Sequence, residues 1–512
     1  MFERRFPLLI SALVIVLIIT PYLFAVQMNN ADSVFGGFLI NPIDGHSYLA
    51  KMQQGMRGEW RFVLPYTAEA GNGAFLFLFY LGLGHLGRIL NLPLIILFHS
   101  VRIVGAILLL GVLYLFNKKL FIEQRYQNLG FAICALGSGL GWIAIFAGLF
   151  SSDFWVAEAY PFLSMYTNPH FSIGLSLMIL VLMPERKSSV IADLCLGVGL
   201  GIIQPFAVVI VLIVKAGKII VDGIERRGAS QRIFNSGDLF TTIAFAFGGG
   251  GILVYQYWSI LSDPVLALWN SQNITVSPQI ADLIISLSPT LVLAGVGIKT
   301  AWQKEKGRSL VIWAVVSLVL VLIPWNLQRR FLTGIYVPLV GLAVYGLIDL
   351  ERTKRLSFRF SAIVILVLVI PTNIIVLVSG IQAAARHDPK IYQDREIYYG
   401  LTWINENTSP DVLVLTDEGV GLFIPSITGR RVIYGHPFET INAEMEKQFL
   451  LDFIDENQDD LYFERKISER GIDVLFLLGE VSESLERWIY TKGLKPEYEY
   501  DRVRIYLVGR ND

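Results

Sequence analysis

The chain has 512 residues, of which 54% are hydrophobic and 17% are charged, and its mean hydropathy is +0.55. These values lie outside the range of ordinary soluble domains and indicate a polytopic membrane protein. The formal net charge of −1 identifies no partner, because positive residues in membrane proteins are segregated by side. Cys134 and Cys195 both fall in apolar segments, so the sequence predicts neither a disulfide framework nor a zinc site.

Apolar runs long enough to cross a membrane recur along the chain up to residue 380. A hydrocarbon core takes about 20 helical residues, and lipid offers no hydrogen-bond partners, so such runs must be helices or a closed barrel. Because they lack the alternation of barrel strands, we predict helices. The predicted spans are 7–26, 94–116, 128–150, 165–183, 238–260, 281–301, 309–323, 331–349 and 360–380. Residues 73–93 are ambiguous, and residues 190–220 form either one span or two short ones hinged at Gln204–Pro205.

The distribution of Lys and Arg decides the topology under the positive-inside rule. If 73–93 does not cross fully and 190–220 crosses twice, the positive residues lie inside, and the loop 151–164, which has none, lies outside. We therefore predict eleven spans in a cell or plasma membrane, with a cytoplasmic N-terminus. The residues assigned to the inside are Arg4, Arg5, Lys118, Lys119, Arg125, Arg186, Lys187, Lys215, Lys218, Arg226, Arg227, Arg232, Lys299, Lys304, Lys306, Arg308, Arg352, Lys354, Arg355 and Arg359.

The composition changes from about residue 388, where short β-rich runs such as "DVLVLTDEGVG" and "VRIYLVG" alternate with polar helical stretches. Strands that alternate with helices predict a small α/β domain. We therefore predict an α-helical polytopic membrane domain over residues 1–385, with a large first outer loop at 27–93. An extracytoplasmic α/β domain is predicted to follow over residues 386–512.

Three polar segments fall on the predicted outer side: 41–60, 151–164 and 324–331. The first two are acidic, and the third, "PWNLQRRF", places two adjacent arginines outside, against the charge rule that the rest of the chain obeys. The charged candidates in or near these segments are Asp44, Glu59, Glu69, Asp153, Glu158, Arg329 and Arg330.

Each candidate has a functional and a structural interpretation. Partial desolvation at a turn formed by Pro42 and Gly45 would raise the basicity of Asp44, whereas an acidic residue in an outer loop is often only solvated. Two adjacent guanidiniums suit bidentate capture of a phosphate, although they could also contact lipid head groups in general. The same alternatives apply to the other acids. For His46 and His170, a surface or packing role is the favoured interpretation, and His170 is kept as a candidate substrate contact.

The combination of these features resembles the GT-C superfamily of integral membrane glycosyltransferases. The features are an Asp in a long first outer loop, a juxtamembrane helix with Tyr and Gly, and the span "RIVGAILLLGVLYLFNKKLF". They also include an acidic second outer loop, a Pro-broken helix pair, an outer Arg motif and an α/β tail. The chain is similar in these features to the oligosaccharyltransferase catalytic subunits, the protein O-mannosyltransferases and the aminoarabinose transferase of lipid A. The resemblance covers almost the whole chain in architecture, but its motifs are short.

The resemblance implies a sugar donor on a polyprenyl phosphate or pyrophosphate and a lipid, glycan or protein acceptor, with membrane lipids as surroundings and no nucleic acid. Asp44 would be the catalytic base or the acceptor-binding carboxylate, and Arg329 and Arg330 would hold the donor phosphate. Asp153 and Glu158 would position substrate. Tyr48 and His170 complete the set of expected substrate contacts.

The resemblance also allows a divalent cation, Mg²⁺ or Mn²⁺. Its ligands would come from Asp44, Asp153 and Glu158. No Asp-X-Asp motif is present, since "SDFWVAE" spaces its acids more widely, and this departure puts metal dependence in doubt.

Two other classes of function stay open at this point. A polyprenyl-linked lipid or glycan transporter or flippase would be expected to carry paired repeats and ionisable residues at mid-membrane depth. A noncatalytic scaffold would use its outer domain to bind a partner, and a GT-C-like fold does not by itself establish an enzyme.

The predicted topology is tested by tagging next to residue 44. We expect the tag to be accessible to a membrane-impermeant reagent in intact cells, because the first outer loop should lie beyond the bilayer. A tag next to Lys187, on the predicted inner side, should react only after permeabilisation. Protection of the tag at residue 44 would remove the basis for an outward-facing site.

Overall fold

The structure, a computed structural model, describes residues 2–228, 236–324, 326–353 and 356–509. Trp325 of the outer Arg segment and three residues assigned to the inside, Arg232, Lys354 and Arg355, lie outside the described residues.

Helices dominate the chain. They are α1 (Phe2–Gln27), α2 (Pro42–Arg57), α3 (Leu78–Leu90), α4 (Leu94–Leu120), α5 (Gln124–Leu136), α6 (Gly141–Ala144), α7 (Pro161–Tyr166), α8 (Pro169–Leu182), α9 (Val190–Ile203), α10 (Pro205–Gly228), α11 (Ser236–Phe245), α12 (Gly251–Ser262), α13 (Pro264–Gln272), α14 (Ile280–Leu287), α15 (Thr290–Trp302), α16 (Glu305–Leu322), α17 (Tyr336–Arg352), α18 (Phe358–Val369), α19 (Pro371–Ala385), α20 (Arg395–Asn407), α21 (Glu418–Gly421), α22 (Ala443–Ile454), α23 (Asp460–Arg470) and α24 (Glu483–Thr491). The strands are β1 (Ser33–Phe35), β2 (Tyr392–Asp394), β3 (Leu413–Thr416), β4 (Arg431–Val432), β5 (Val474–Leu478), β6 (Tyr498–Tyr500) and β7 (Val503–Leu507).

Several helical segments have the length and apolarity of membrane spans. Among the described residues five segments qualify, and two bent helix pairs would raise the number to seven. The helices α3, α8 and α9 are apolar but shorter than a hydrocarbon core requires. An integral membrane protein is therefore supported, whereas the count of eleven spans and the orientation of the termini stay predictions. The ambiguous stretch 190–220 does break at Gln204–Pro205, where α9 ends and α10 begins.

The chain groups into two compact units. The first comprises Met1–Pro21, His99–Tyr255 and Ile274–Gln382, and the second comprises Tyr22–Phe98, Gln256–Asn273 and Ala383–Asp512. The C-terminal part of the second unit begins at Ala383. The predicted first outer loop, residues 27–93, lies within the stretch Tyr22–Phe98 of this same unit.

The second unit contains a mixed sheet of five strands in the order β4-β3-β5-β7-β6. The strand β3 pairs in parallel with β4 and β5, and β7 pairs antiparallel with β5 and β6. The short strand β1 of the first loop pairs antiparallel with β2, with Ser33 opposite Asp394. The alternation of strands and helices after residue 388 therefore forms an α/β arrangement, as its sequence pattern predicts.

The hydrophobic core of the second unit combines residues that are distant in sequence. Ala50 of α2 and Tyr66 of the first loop are buried together with Val414 of β3, Val474 of β5 and Ile505 of β7. Burial of apolar surface contributes roughly 25 cal/mol per Å², so the loop and the C-terminal segment stabilise one another. The first loop is therefore part of the folded core of this unit.

The helix α2 is fixed at both ends by its own sequence. Pro42 occupies its first turn, where a missing N–H costs nothing. Gly58 ends it in the left-handed region with φ 106°, and its N–H donates to the carbonyls of Gln54 and Gly55. The residues around Asp44, for which the sequence suggested a turn, therefore form the first turn of a helix. Gly45 is required there, because a methyl group at this position would overlap the ring of Phe38.

The helices α2 and α3 cross at a pair of glycines. A methyl group on Gly55 would overlap the carbonyl oxygen of Leu81, and one on Gly84 would overlap that of Met52. Backbone atoms cannot move aside as flexible side chains can, so the crossing requires glycine at both positions. This contact sets where α2 carries its polar side chains.

We expect Gly84→Ala to lower the free energy of unfolding by about 1–3 kcal/mol, because the added methyl group forces the two helices apart. Gly82→Ala is the matched control, since Gly82 lies on the same helix with no atom near its added methyl group. Alanine there should be neutral or stabilising by about 0.5–1 kcal/mol. Thermal unfolding of the purified variants measures the difference, and equal stability of the two would contradict the glycine crossing.

Candidate functional site

The residues predicted from the sequence are divided between the two units. The second unit holds Asp44 and Tyr48, and the first unit holds Asp153, Glu158, His170, Arg329 and Arg330. The two groups are described separately.

Asp153 is fully buried in the loop between α6 and α7. Its Oδ2 accepts from the N–H groups of Gly139 at 3.1 Å and Gly141 at 3.0 Å, and its Oδ1 accepts from Ser151 Oγ at 2.6 Å. Burial raises the pKa of the Asp153 carboxyl, and the hydrogen bonds oppose that shift. These contacts hold the glycine-containing turn against the loop, which is the arrangement of a structural carboxylate.

The same loop is attached to the start of α14. Ser152 donates to Asp282 from its N–H at 2.9 Å and from its Oγ at 2.6 Å. Tyr160 Oη donates to the carbonyl of Ser286 at 2.6 Å. The loop is therefore fixed on both sides of Trp155 and Glu158.

Trp155, Glu158, Arg329 and Arg330 form what we call the arginine cluster. Arg330 Nη1 lies 3.4 Å from Glu158 Oε1, and the guanidinium carbon of Arg329 lies 4.9 Å from the ring centroid of Trp155. The backbone joins the two segments as well, because the N–H of Gly334 donates to the carbonyl of Glu158 at 2.9 Å. The structure thus brings together one acid of the loop 151–164 and the adjacent arginines.

The arginine cluster suits an oxyanion. The Glu158 side chain is 5% exposed, whereas that of Arg330 is 30% exposed. A guanidinium has five N–H donors and can contact a carboxylate and a phosphate at once. His170 lies in the first turn of α8, also in the first unit, where its ring centroid is 4.0 Å from that of Phe171.

Asp44 lies half-buried in the first turn of α2, where the helix dipole favours a negative charge. Among the described residues its carboxylate makes no hydrogen bond or ion pair. Tyr48, one turn further along, stacks on Tyr80 with ring centroids 4.4 Å apart. Tyr48 is therefore held by packing, whereas Asp44 is available to a ligand.

Lys51, in the next turn of α2, places a charged side chain in the interior of the second unit. Lys51 is completely buried, and its Nζ lies 2.7 Å from Glu439 Oε1 and 2.5 Å from Ser47 Oγ. Ser47 Oγ donates to the same carboxylate oxygen at 2.5 Å. Burial opposes ionisation of Glu439, but the charge of Lys51 and the hydrogen bonds outweigh it and lower the pKa of this carboxyl. With His436, these residues form what we call the buried polar cluster.

His436 completes the buried polar cluster. Its Nδ1 accepts from the N–H groups of Phe438 and Glu439, both at 3.1 Å, so its proton lies on Nε2. Burial lowers the pKa of the imidazole, whereas the charges of Glu439 and Asp44 oppose that shift. Asp44 is therefore close enough for its charge to act on His436.

Two of the three residues expected to bind a divalent cation, Asp153 and Glu158, do not fit that role. Both carboxylate oxygens of Asp153 accept hydrogen bonds, from backbone N–H groups and from Ser151, and Glu158 faces the guanidinium of Arg330. Across the described residues no three His, Cys, Asp or Glu side chains are grouped so that they could hold an ion. We therefore assign no step to a metal.

Sequence reasoning missed two buried charges, Lys51 of the polar segment 41–60 and Arg102 of a predicted span. Lys51 follows Ser47 at helical spacing, which is a signal that the two share a face, but its partner Glu439 lies far along the chain. Arg102 of α4 is also buried, and its Nη1 donates to the carbonyls of Ile18, Met165 and Tyr166 at 3.2–3.3 Å. A lone arginine within a predicted span was the available signal.

Solved structures with this fold are membrane glycosyltransferases of the GT-C superfamily. The apo oligosaccharyltransferase from Archaeoglobus fulgidus matches with a TM-score of 0.53 and 12% identity, over 93% of this chain and 70% of that chain. The oligosaccharyltransferase AglB from Archaeoglobus fulgidus, in complex with an inhibitory peptide and a dolichol-phosphate, matches with a TM-score of 0.50 and 10% identity over the same shares. ArnT from Cupriavidus metallidurans, bound to undecaprenyl phosphate, matches with a TM-score of 0.48 and 11% identity, over 97% of both chains.

No protein-family model and no curated protein matches the sequence. The similarity is therefore one of fold, and it extends over 93% of this chain in the match to the apo oligosaccharyltransferase.

His46, two residues after Asp44 in sequence, makes the stability of the second unit sensitive to acid. It is buried, its Nδ1 lies 3.0 Å from Ser426 Oγ, and burial lowers its pKa from 6.5 to about 3. Between these two pH values the unfolded chain binds a proton that the folded chain excludes. The contribution of a neutral His46 is therefore complete above pH 6.5 and is lost as the pH falls towards 3.

We expect His46→Asn to remove about 2 kcal/mol of the loss of stability between pH 7 and pH 5, since its amide oxygen can replace Nδ1 but does not titrate. Unfolding at a series of pH values measures this slope. His387→Asn, at a less buried histidine of the same unit, is the control. An unchanged slope in His46→Asn would show that other groups cause the acid sensitivity.

Proposed function

We propose that the protein is an inverting glycosyltransferase that moves a sugar from a polyprenyl phosphate or pyrophosphate to an extracytoplasmic lipid, glycan or protein. The observation that carries the proposal is the fold. It is shared over 93% of the chain with an oligosaccharyltransferase whose structure holds a dolichol-phosphate. The proposed topology places the N-terminus in the cytoplasm and the second unit outside.

The arginine cluster is assigned the phosphate of the donor. Arg329 and Arg330 are adjacent, and each is oriented by a fixed neighbour, Trp155 or Glu158. Two guanidiniums neutralise a phosphate and stabilise the negative charge that develops on it as the sugar departs. His170 stays a proposed substrate contact, and Asp153 is assigned the positioning of the loop that carries Trp155 and Glu158.

Asp44 is assigned the acceptor, and Tyr48 supports the helix that carries it. In the proposed step the acceptor oxygen forms a bond to the anomeric carbon while its proton passes to the Asp44 carboxylate. The bond between the anomeric carbon and the phosphate oxygen breaks, and its electron pair leaves on the phosphate. A single displacement of this kind inverts the anomeric centre, so a product of retained configuration would contradict Asp44 as a simple base.

The assignment is tested by transfer from a panel of labelled polyprenyl-linked sugars by the purified protein. We expect Asp44→Asn to lower kcat by about 10²–10⁴-fold, because it removes the proton acceptor. Glu59→Gln is the matched control, since it neutralises another acid of the same loop. Parallel reactions with and without EDTA determine whether activity depends on a cation.

We expect Arg330→Ala to raise the KM for the donor by at least about 10-fold, the effect of losing a hydrogen bond to a charged group. Because this change also leaves Glu158 buried beside no cation, the double variant Arg330→Ala/Glu158→Gln separates the loss of donor contact from destabilisation. Arg487→Ala, at an exposed arginine of α24, is the control. If wild type, Asp44→Asn and Arg330→Ala behaved alike on every donor, a transporter or a scaffold would be the better interpretation.

A further inference from the structure

The turn formed by residues 435–440 is held by its own Thr440 and by two neighbouring segments. Thr440 Oγ1 accepts from the N–H groups of Gly435 at 3.3 Å and His436 at 3.2 Å, which closes the turn. Trp269 Nε1 donates to the carbonyl of Phe438 at 3.1 Å, and Lys51 holds Glu439 from the side of α2. The side chains on this turn are therefore fixed before any ligand arrives.

Two polar atoms of the turn are buried but have no hydrogen-bond partner among the described residues. They are Nε2 of His436, a residue 2% exposed, and Oε2 of Glu439, a residue 9% exposed. An unpaired buried polar group costs about 1–3 kcal/mol, and native structures pair nearly all such groups with protein, water or ligand. One atom is an N–H donor and the other an ionised acceptor, so together they are complementary to a group that both accepts and donates.

An aromatic ring lies between these two residues in sequence. Phe438 is 56% exposed, so its ring can contact a ligand. A pyranose ring has a face of C–H groups that packs on an aromatic ring and a rim of hydroxyls that each accept and donate. Asp44, whose charge acts on His436, adds a carboxylate on the side of α2.

We propose that the turn 435–440 binds a hydroxyl-bearing acceptor, a sugar or a related polyol, through His436 Nε2, Glu439 Oε2 and the ring of Phe438. This inference rests on the proposed function, since it names the acceptor class of that reaction, but the binding it describes needs no donor. A bare carboxamide would satisfy the two polar atoms without using Phe438. A single water would satisfy them as well without contacting Phe438.

The inference is tested by saturation-transfer NMR on the full chain in lipid nanodiscs prepared without glycoside detergent. The probes are methyl glucoside, methyl galactoside and methyl mannoside, with glycerol and N-acetylasparagine amide as comparison ligands. We expect at least one glycoside to bind the wild type and to receive saturation on its ring C–H protons. Binding of the carboxamide alone, or of no glycoside, would overturn the proposal.

Two substitutions of His436 separate its two ring nitrogens. In His436→Asn the amide oxygen can replace Nδ1 and keep the turn closed, but no donor reaches the position of Nε2. In His436→Gln a donor is placed near Nε2, but the acceptor that closes the turn is lost. We expect His436→Asn to raise the glycoside Kd by about 3- to 10-fold with little change in Tm, and His436→Gln to lower Tm with a smaller change in Kd.

Phe438→Ala keeps the test decisive if both histidine variants unfold, because an exposed side chain contributes little to folding. It should weaken glycoside binding by about 3- to 10-fold, whereas Arg487→Ala should bind as the wild type does. Equal Kd values for wild type, His436→Asn and Phe438→Ala would refute the site. Glycoside binding without any sugar transfer would instead leave this site standing and remove the proposed function.

Discussion

The buried ion pair between Lys51 and Glu439 is the interaction on which the second unit depends. An ammonium removed from water is costly unless a partner and further hydrogen bonds compensate, and here Glu439 and Ser47 provide both. Because Lys51 comes from the first loop and Glu439 from the C-terminal segment, the charge can be buried only when these two segments fold together. The same contact aligns the helix of Asp44 with the turn that carries His436.

In the first unit, two adjacent arginines lie on one short segment. Trp155 and Glu158 give the two guanidiniums separate neighbours, one aromatic and one anionic. Asp153, Ser152 and Tyr160 then fix the loop from which those neighbours project. A loop tied in this way costs little further entropy when a ligand binds, which is the physical benefit of a preorganised site.

The two acids of the loop 151–164 show the limit of predicting function from sequence. Asp153 and Glu158 have the same chemistry, lie in one loop and were predicted to act in the same way. Their surroundings differ: backbone N–H groups and a hydroxyl surround Asp153, and an arginine faces Glu158. Hydrogen-bond partners from distant segments decide the role of a carboxylate, and no pattern within the loop encodes them.

The sequence by itself determined the helical membrane character, the break at Gln204–Pro205 and the strand–helix alternation after residue 388. These features follow from hydropathy, proline geometry and local periodicity, all of which act over a few residues. Only the tertiary structure decided that the first loop shares a core with the C-terminal segment, and that Lys51 meets Glu439 and Arg330 meets Glu158. Each of these contacts joins residues separated by more than a hundred positions, and chain-distant pairing depends on packing that local sequence does not specify.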